Sequence, residues 1–333
     1  MKAFIVDRYG SSDGVRAGEM PDPELRDDDV LVQIHTASVN ALDLKIRDGK
    51  LKLILPYRLP FVLGNDLAGV VVRVGSRVRR FKPGDEVYAR PDQDRIGAFA
   101  EFISMNEDAV AIKPKELTME EAASIPLVGL TAWQALIERA NLKVGQKVLI
   151  HAGSGGVGTF AIQLAKHVGA IVATTTSTAN LDWVKRLGAD IVIDYRKDDF
   201  ETILRDYDVV LDTLGGETLK KSLRVLKPGG KLISLSGPPD PDFAKDIGLT
   251  WILRLVMRLL SYRIRKKAKR HHVSYSFLFM RASGDQLREI GSLIDSGIIR
   301  PVVDRVFPFA STKEALVYVE KGRAKGKVIV KVR

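Results

Sequence analysis

Residues 151–170 read HAGSGGVGTFAIQLAKHVGA. Gly153, Gly155, Gly156 and Gly158 stand between an apolar strand and an apolar helix. The spacing Gly153-x-Gly155-x-x-Gly158 suits a phosphate: the first glycine permits a tight turn, the second lets backbone approach a pyrophosphate, and the third lets helix pack on strand. N–H groups left unpaired at the helix start then face the anion, aided by the helix dipole. The chemistry implied is the holding of a dinucleotide. About 20 residues on, an NAD site usually places an acid for the ribose hydroxyls. Here the stretch is VATTTSTAN, residues 172–180, which has hydroxyls and no acid. A carboxylate there would repel a 2′-phosphate, whereas Thr175, Thr176, Ser177 and Thr178 can donate to one, which favours NADP(H). Alternatively, Ser177 or Thr178 only caps the next helix.

The elements that must position this loop alternate. KVLIHA is a strand and GVGTFAIQLAKHV a helix, with Val157, Phe160, Ala161, Leu164, Ala165 and Val168 on one stripe closed by Gly169. AIVATTT, DIVIDY, DVVLDTL and KLISLS read as further strands, separated by helical ANLDWVKRLG, DDFETILRD and GETLKKSLRVL. YSFLFM is a late strand. This rhythm predicts an α/β fold, a doubly wound parallel (Rossmann) sheet. Before it the texture is β. KAFIVDRY, the alternating DVLVQIHTASVN with Val30, Val32 and Ile34 on one face, two strands around a Pro83-Gly84 turn, FAEFISM and DAVAIKP suggest a barrel-like domain. Thr118 opens a helical stretch, TMEEAASIPLVGLTAWQALIERA, with Glu121 placed for a capping box.

The chain has 333 residues, 45% of them hydrophobic, which suits two domains. It has no cysteine, which excludes disulfides, a thiolate zinc site and a cysteine nucleophile. No apolar run is long enough to span a bilayer, and the opening MKAFIVDRYGSSDG shows no secretory leader. A cytoplasmic location is expected. The net charge of +11 is local. No acidic residue falls between Asp246 and Asp285, while that interval holds Arg254, Arg258, Arg263, Arg265, Lys266, Lys267, Lys269, Arg270 and Arg281.

Taken together, SVNALDLKIRDGKLK (38–52), PFVLGNDLAGVVVRVG (60–75), FKPGDEVYA (81–89), PLVGLTAWQAL (126–136), AGSGGVG (152–158), LGADIVIDYR (187–196), VVLDTLGG (209–216), LKPGGKLISL (226–235) and GRAKGKVIV (322–330) resemble the medium-chain dehydrogenase/reductase superfamily. Within it the likeness is to the zinc-free quinone oxidoreductase (zeta-crystallin-like) and 2-alkenal reductase branch. The resemblance implies a GroES-like β-barrel catalytic domain, residues 1–121 completed by 284–333, around an inserted Rossmann cofactor domain, residues 122–283. The cofactor would lie in the cleft between them. It implies NADPH contacts at Gly153, Ser154, Gly155, Gly156, Val157, Gly158, Ser177 and Tyr195. It also implies Thr131 behind the nicotinamide, with Asn40 and Lys45 near the ribose and reactive ring. One departure is Asn180, where the family often has a lysine for the 2′-phosphate; Arg196 or Lys325 would compensate.

Zinc-dependent relatives carry Gly-His-Glu where this chain reads Gly64-Asn65-Asp66. His35, His151, His167, His271 and His272 lack ligand spacing with a second donor, so each is read as structural and no metal is expected. Without a Lewis acid a simple ketone is hard to reduce. A quinone or an α,β-unsaturated carbonyl spreads the developing charge, and a few hydrogen-bond donors suffice. The expected reaction is hydride transfer from NADPH to such an acceptor, with Lys45 as donor to the ribose or the developing enolate and Asn40 orienting it. Asp43 orders the loop. LKLILPYRLPFVL, residues 51–63 and including Tyr57, either lines an apolar substrate cleft or packs a domain junction.

The segment 250–270 is amphipathic, with Ile252, Leu255, Val256 and Leu259 at helical spacing. The favoured reading is a peripheral helix whose apolar side caps the sheet. An anionic membrane surface or RNA, bound through 254–270, is the alternative. Two rival readings of the whole stand beside the reductase: an enoyl-thioester reductase, and a nucleotide-binding, RNA- or membrane-associated protein with little turnover. YSFLFM would leave a sheet edge unpaired, so a homodimer is expected.

Overall fold

The computed structural model describes residues 1–333, the Ser12 side chain excepted. In chain order the elements are β1 (Lys2–Val6), β2 (Val15–Glu19), β3 (Asp29–Val39), α1 (Ala41–Arg47), β4 (Phe61–Val62), β5 (Asp66–Val74), β6 (Glu86–Ala89), β7 (Phe102–Asn106), β8 (Val110–Ile112), α2 (Met119–Ala123) and α3 (Pro126–Trp133). There follow β9 (Lys147–Ile150), α4 (Gly156–His167), β10 (Ile171–Thr176), α5 (Leu181–Arg186), β11 (Ile191–Asp194), α6 (Phe200–Ile203), β12 (Tyr207–Asp212), α7 (Gly216–Val225) and β13 (Leu226–Ser234). The last are α8 (Pro241–Asp246), α9 (Trp251–Leu260), α10 (Tyr262–Arg270), β14 (Ser274–Phe277), α11 (Gly284–Asp295), β15 (Val303–Pro308), α12 (Thr312–Glu320) and β16 (Lys327–Lys331). Two compact units result: Met1–Leu130 with Arg281–Arg333, and Thr131–Met280. The first division falls inside α3 because α2 packs on β3 and β5.

The first unit is antiparallel except for the β15–β16 pair. One sheet runs β15-β16-β3-β5-β6-β8, with β7 also on β3, and a smaller one runs β2-β1-β4. The alternation of β3 is real: Val30, Val32 and Ile34 are fully buried. Its other end carries Ser38 against Asp66 of β5 and pairs with β16. Thr118 forms the expected capping box with Glu121. The helical stretch it opens is not continuous, however. Pro126 starts a second helix, since proline disfavours helical backbone at the residue before it and suits a first turn.

The second unit is a parallel sheet of order β11-β10-β9-β12-β13-β14. That is the doubly wound order, with its reversal between β9 and β12. β12 is buried at every residue, as a central parallel strand covered on both faces must be. The loop after β9 therefore opens at the switch point, where such sheets bind ligands. The segment 250–270 forms two helices broken at Ser261. The α10 half packs on the sheet through Ile264 and Ala268, but the apolar side of α9 does not. Along α9 only Met257 is buried, while Trp251, Ile252, Leu255, Val256, Leu259 and Leu260 are exposed. The late strand is shorter than YSFLFM, ending at Phe277.

Candidate active site

In the second unit the glycine loop is built as its spacing requires. A Cβ on Gly153 would lie 2.2 Å from Thr174 Oγ1, and one on Gly158 would lie 2.3 Å from the Ala152 carbonyl oxygen. Only glycine allows strand and helix this close. At Gly155 the nearest atom would be 3.4 Å away, so that glycine leaves space for a ligand rather than for the fold. No side chain caps α4, and its first N–H groups are left to a ligand. Ala152 adopts φ 54°, an uncommon region for a residue with a side chain. The Thr175 hydroxyl accepts from its N–H at 3.3 Å, and the Gly153 N–H donates to the Thr175 carbonyl at 2.9 Å.

The hydroxyl stretch divides its work. Thr175 Oγ1 pairs with His151 Nδ1 at 3.1 Å. Thr176 Oγ1 is buried with no hydrogen-bond partner, a group left for a ligand to satisfy. Ser177 Oγ accepts from Asn180 Nδ2 at 3.1 Å, and no side-chain cap forms at Ser177. Thr178 donates to Asp194 Oδ2 at 2.6 Å. Sequence spacing did not reveal Asp194, an acid at the end of the neighbouring strand, in register with Thr176. The Thr178 hydroxyl first, with the Arg196 N–H and the Lys197 and Arg196 charges, holds its carboxyl below the usual range. Tyr195 is 60% exposed, and its N–H donates to the Thr176 carbonyl at 3.1 Å. The structure thus gathers Gly153 to Gly158, Ser177 and Tyr195 at the ends of β9, β10 and β11. An uncapped helix start and an orphaned hydroxyl fit a dinucleotide. Thr131 is buried in α3, at the start of this unit.

The first unit holds a buried polar cluster. Asp66 is fully buried. Its Oδ2 accepts from Ser38 Oγ at 2.8 Å, Asn40 Nδ2 at 2.8 Å and Lys327 Nζ at 3.2 Å, and its Oδ1 from the Leu127 N–H at 2.7 Å. Lys327 Nζ also donates to Asn40 Oδ1 and to the Val39 carbonyl at 3.2 Å. Asp43 accepts from the Asn40 N–H at 2.7 Å and from Asn65 Nδ2 at 2.7 Å. Burial nevertheless raises its carboxyl to about 7, against the pull of those two donors and of Lys327. Arg90, fully buried, donates to the Pro91 carbonyl at 2.7 Å and to Asn65 Oδ1 at 3.4 Å. The cluster thus sets the side chains of Lys327 and Arg90 among the two carboxyl groups of Asp43 and Asp66, away from water.

Asn40 is therefore tied to Asp66 and Lys327, and no hydrogen bond joins it to Lys45 among the described residues. Lys45 lies half-buried on α1 with no ion pair among the described residues, and burial first, then Lys50, lowers its pKa. Arg47, on the same helix, anchors α1 through Asp48 at 2.7 Å and Glu320 of α12 at 3.1 Å. Tyr57 donates to the Gln93 carbonyl and packs on Phe61 at 5.0 Å between ring centroids. Burial raises its phenol pKa, which keeps it neutral. The stretch around it is not a continuous apolar wall: Leu55 is buried, but Leu53 and Leu59 are exposed. His151 bonds Thr175 and, through Nε2 at 2.9 Å, Ser222, and burial lowers its pKa to about 3. It is a neutral core histidine.

An open glycine cradle on a doubly wound sheet, joined in one chain to a barrel-like β unit with a buried polar cluster, is the build of a nicotinamide-dependent oxidoreductase. Residues 26–115 match the alcohol dehydrogenase GroES-like domain, and residues 187–330 match the family described as zinc-binding dehydrogenase. A 2-methylene-furan-3-one reductase of Solanum lycopersicum is 37% identical over 99% of this chain and 79% of its own length. A chloroplastic NADPH-dependent alkenal/one oxidoreductase of Arabidopsis thaliana is 36% identical over the same shares. The solved quinone oxidoreductase of Coxiella burnetii has a TM-score of 0.87 and 33% identity, covering 100% of this chain and 99% of that one. The chain belongs to the medium-chain dehydrogenase/reductase superfamily. The zinc of the family description finds no donor set here. The chain has no cysteine, and no group of three His, Asp or Glu could hold a metal among the described residues. At Gly64-Asn65-Asp66, Asn65 is committed to Asp43 and Arg90, and Asp66 is paired with the Lys327 ammonium.

Proposed function

We propose that the protein is an NADPH-dependent reductase of quinones or α,β-unsaturated carbonyls that works without a metal. The observation that carries this is the uncapped, sterically open start of α4 beside the orphaned Thr176 hydroxyl. Bound, NADPH supplies the hydride that adds to the electron-poor carbon of the acceptor. The N–H groups of Gly156 to Gly158 and the Ser154 hydroxyl would bind the diphosphate. Thr176 and Ser177 take the ribose phosphate, and exposed Arg196 supplies the charge that Asn180 lacks. Tyr195 covers the adenine, and Thr131 backs the nicotinamide. Lys45 donates to the ribose or to the oxygen on which negative charge develops, and water gives the proton, to the α-carbon of an enolate or to the oxygen of a reduced quinone. Lys327, held by Asp66, fixes the Asn40 amide, and Tyr57 bounds the acceptor. The relatives reduce conjugated substrates by name, which supports the same class here. The place of β14 at the end of its sheet supports a homodimer by edge pairing.

The test is steady-state NADPH oxidation against quinones, 2-alkenals and 2-enones, with NADH and EDTA as controls. Turnover with NADPH that survives EDTA is expected. Purified protein without affinity for either nucleotide would end the reading.

A further inference from the structure

The α9–α10 pair carries two surfaces that neither the cofactor cradle nor the fold uses. At about 100° per residue, Trp251, Leu255, Leu259, Ile252, Val256 and Leu260 sweep half the circumference of α9. All six face solvent, Trp251 at 74% and Leu259 at 68% exposure. Arg254 and Arg258 border this arc, and Met257 and Leu253 form the narrow inner stripe that seats the helix. One residue further on, α10 is seated by buried Ile264 and Ala268, and its outer positions are lysine and arginine. A large exposed apolar patch is unusual on a soluble protein and marks an interaction surface.

The charge decides what covers it. α9 and α10 carry eight lysines and arginines and no acidic residue, with Glu217 of α7 beside Lys267. A second copy meeting α9 face to face would bring Arg254, Arg258 and the α10 cations against their own kind. RNA would meet the cations but gain nothing from six apolar side chains. An anionic phospholipid surface satisfies both: acyl chains take the apolar arc, headgroups take the cations, and Trp251 and Tyr262 are the aromatic types that settle at such an interface. We infer that α9 lies in the surface of an anionic bilayer with α10 clamping the headgroups. The inference stands on this face alone and does not depend on the redox reading.

The test uses the full chain and sedimentation with vesicles of phosphatidylcholine, alone or mixed with phosphatidylserine. Binding is expected to the mixed vesicles, to weaken with salt, and to come with protection of Trp251 from aqueous quenchers. Replacing Arg263, Arg265 and Lys269 by glutamine should weaken it about a hundredfold, roughly fivefold per charge. Leu255→Glu with Leu259→Glu should abolish it. Both residues are exposed, so the fold and NADPH oxidation should stay unchanged. Three results would each overturn the inference: no sedimentation of wild type at low salt, equal sedimentation of the double-glutamate variant, or a light-scattering mass that halves in that variant, which would make the face a seam between copies.

Discussion

The glycine cradle of the second unit and the polar cluster of the first are built in opposite ways. In the second unit the cradle is backbone, contiguous in sequence, and its key residues have almost no side chains. In the first unit the cluster is built on side chains, most of them from β3, α1, β5 and β16, with Asn40 and Lys327 far apart along the chain. A backbone cradle has little to lose when a ligand leaves. A buried ion cluster is part of the core, so its disruption is felt by the fold before it is felt by the chemistry.

This contrast is open to test, beginning with the cluster. Lys327→Met leaves Asp66 buried without its cation and should destabilise the first unit by about 3–5 kcal/mol. Lys327→Arg should restore much of that. Denaturant unfolding of the full chain, followed with and without NADPH, measures both. Unchanged unfolding with lost nucleotide affinity would erase the distinction between cradle and cluster. Asp43 gives the next effect. Its carboxyl, raised to about 7 from 3.8, keeps a proton in the fold that the unfolded chain has already released. Its contribution to stability is full below pH 4 and is lost as pH rises through about 7, at up to about 1.4 kcal/mol per pH unit. Thermal melts from pH 4 to 8 should show that slope, and Asp43→Asn should flatten it. The cradle gives the smallest changes. Gly155→Ala should leave stability intact and weaken NADPH binding more than tenfold, about 1.4 kcal/mol, by titration calorimetry. Arg196→Ala should narrow the preference for NADPH over NADH by a similar factor and leave NADH kinetics unchanged.

The same contrast explains what the sequence revealed. Gly153 to Gly158 and the strand–helix alternation around them are local, so spacing alone exposes them. The resemblance placed Asn40 and Lys45, but α1 is only seven residues long and gave no periodic stripe. Lys327 sits in GKVIV, which reads as an ordinary edge of a strand, and its partners arrive only when β16 pairs with β3. Asp194 was missed for the same reason, since strand register, not spacing, brings it beside Thr176. On α9 the periodicity was legible, but a stripe does not say which side faces water. The expectation that it capped the sheet failed because Leu253 and Met257, not the wide apolar arc, do the seating.

The placement of β16 also orders the birth of the molecule. On the ribosome, residues 131–280 can close their parallel sheet while Lys327 has yet to be made. Until it is, Asp66 and Asn40 wait for the ammonium that completes their pocket, and Arg47 waits for Glu320. A nascent chain should thus be competent to hold nucleotide before the first unit, begun at residue 1, is completed by residues 281–333.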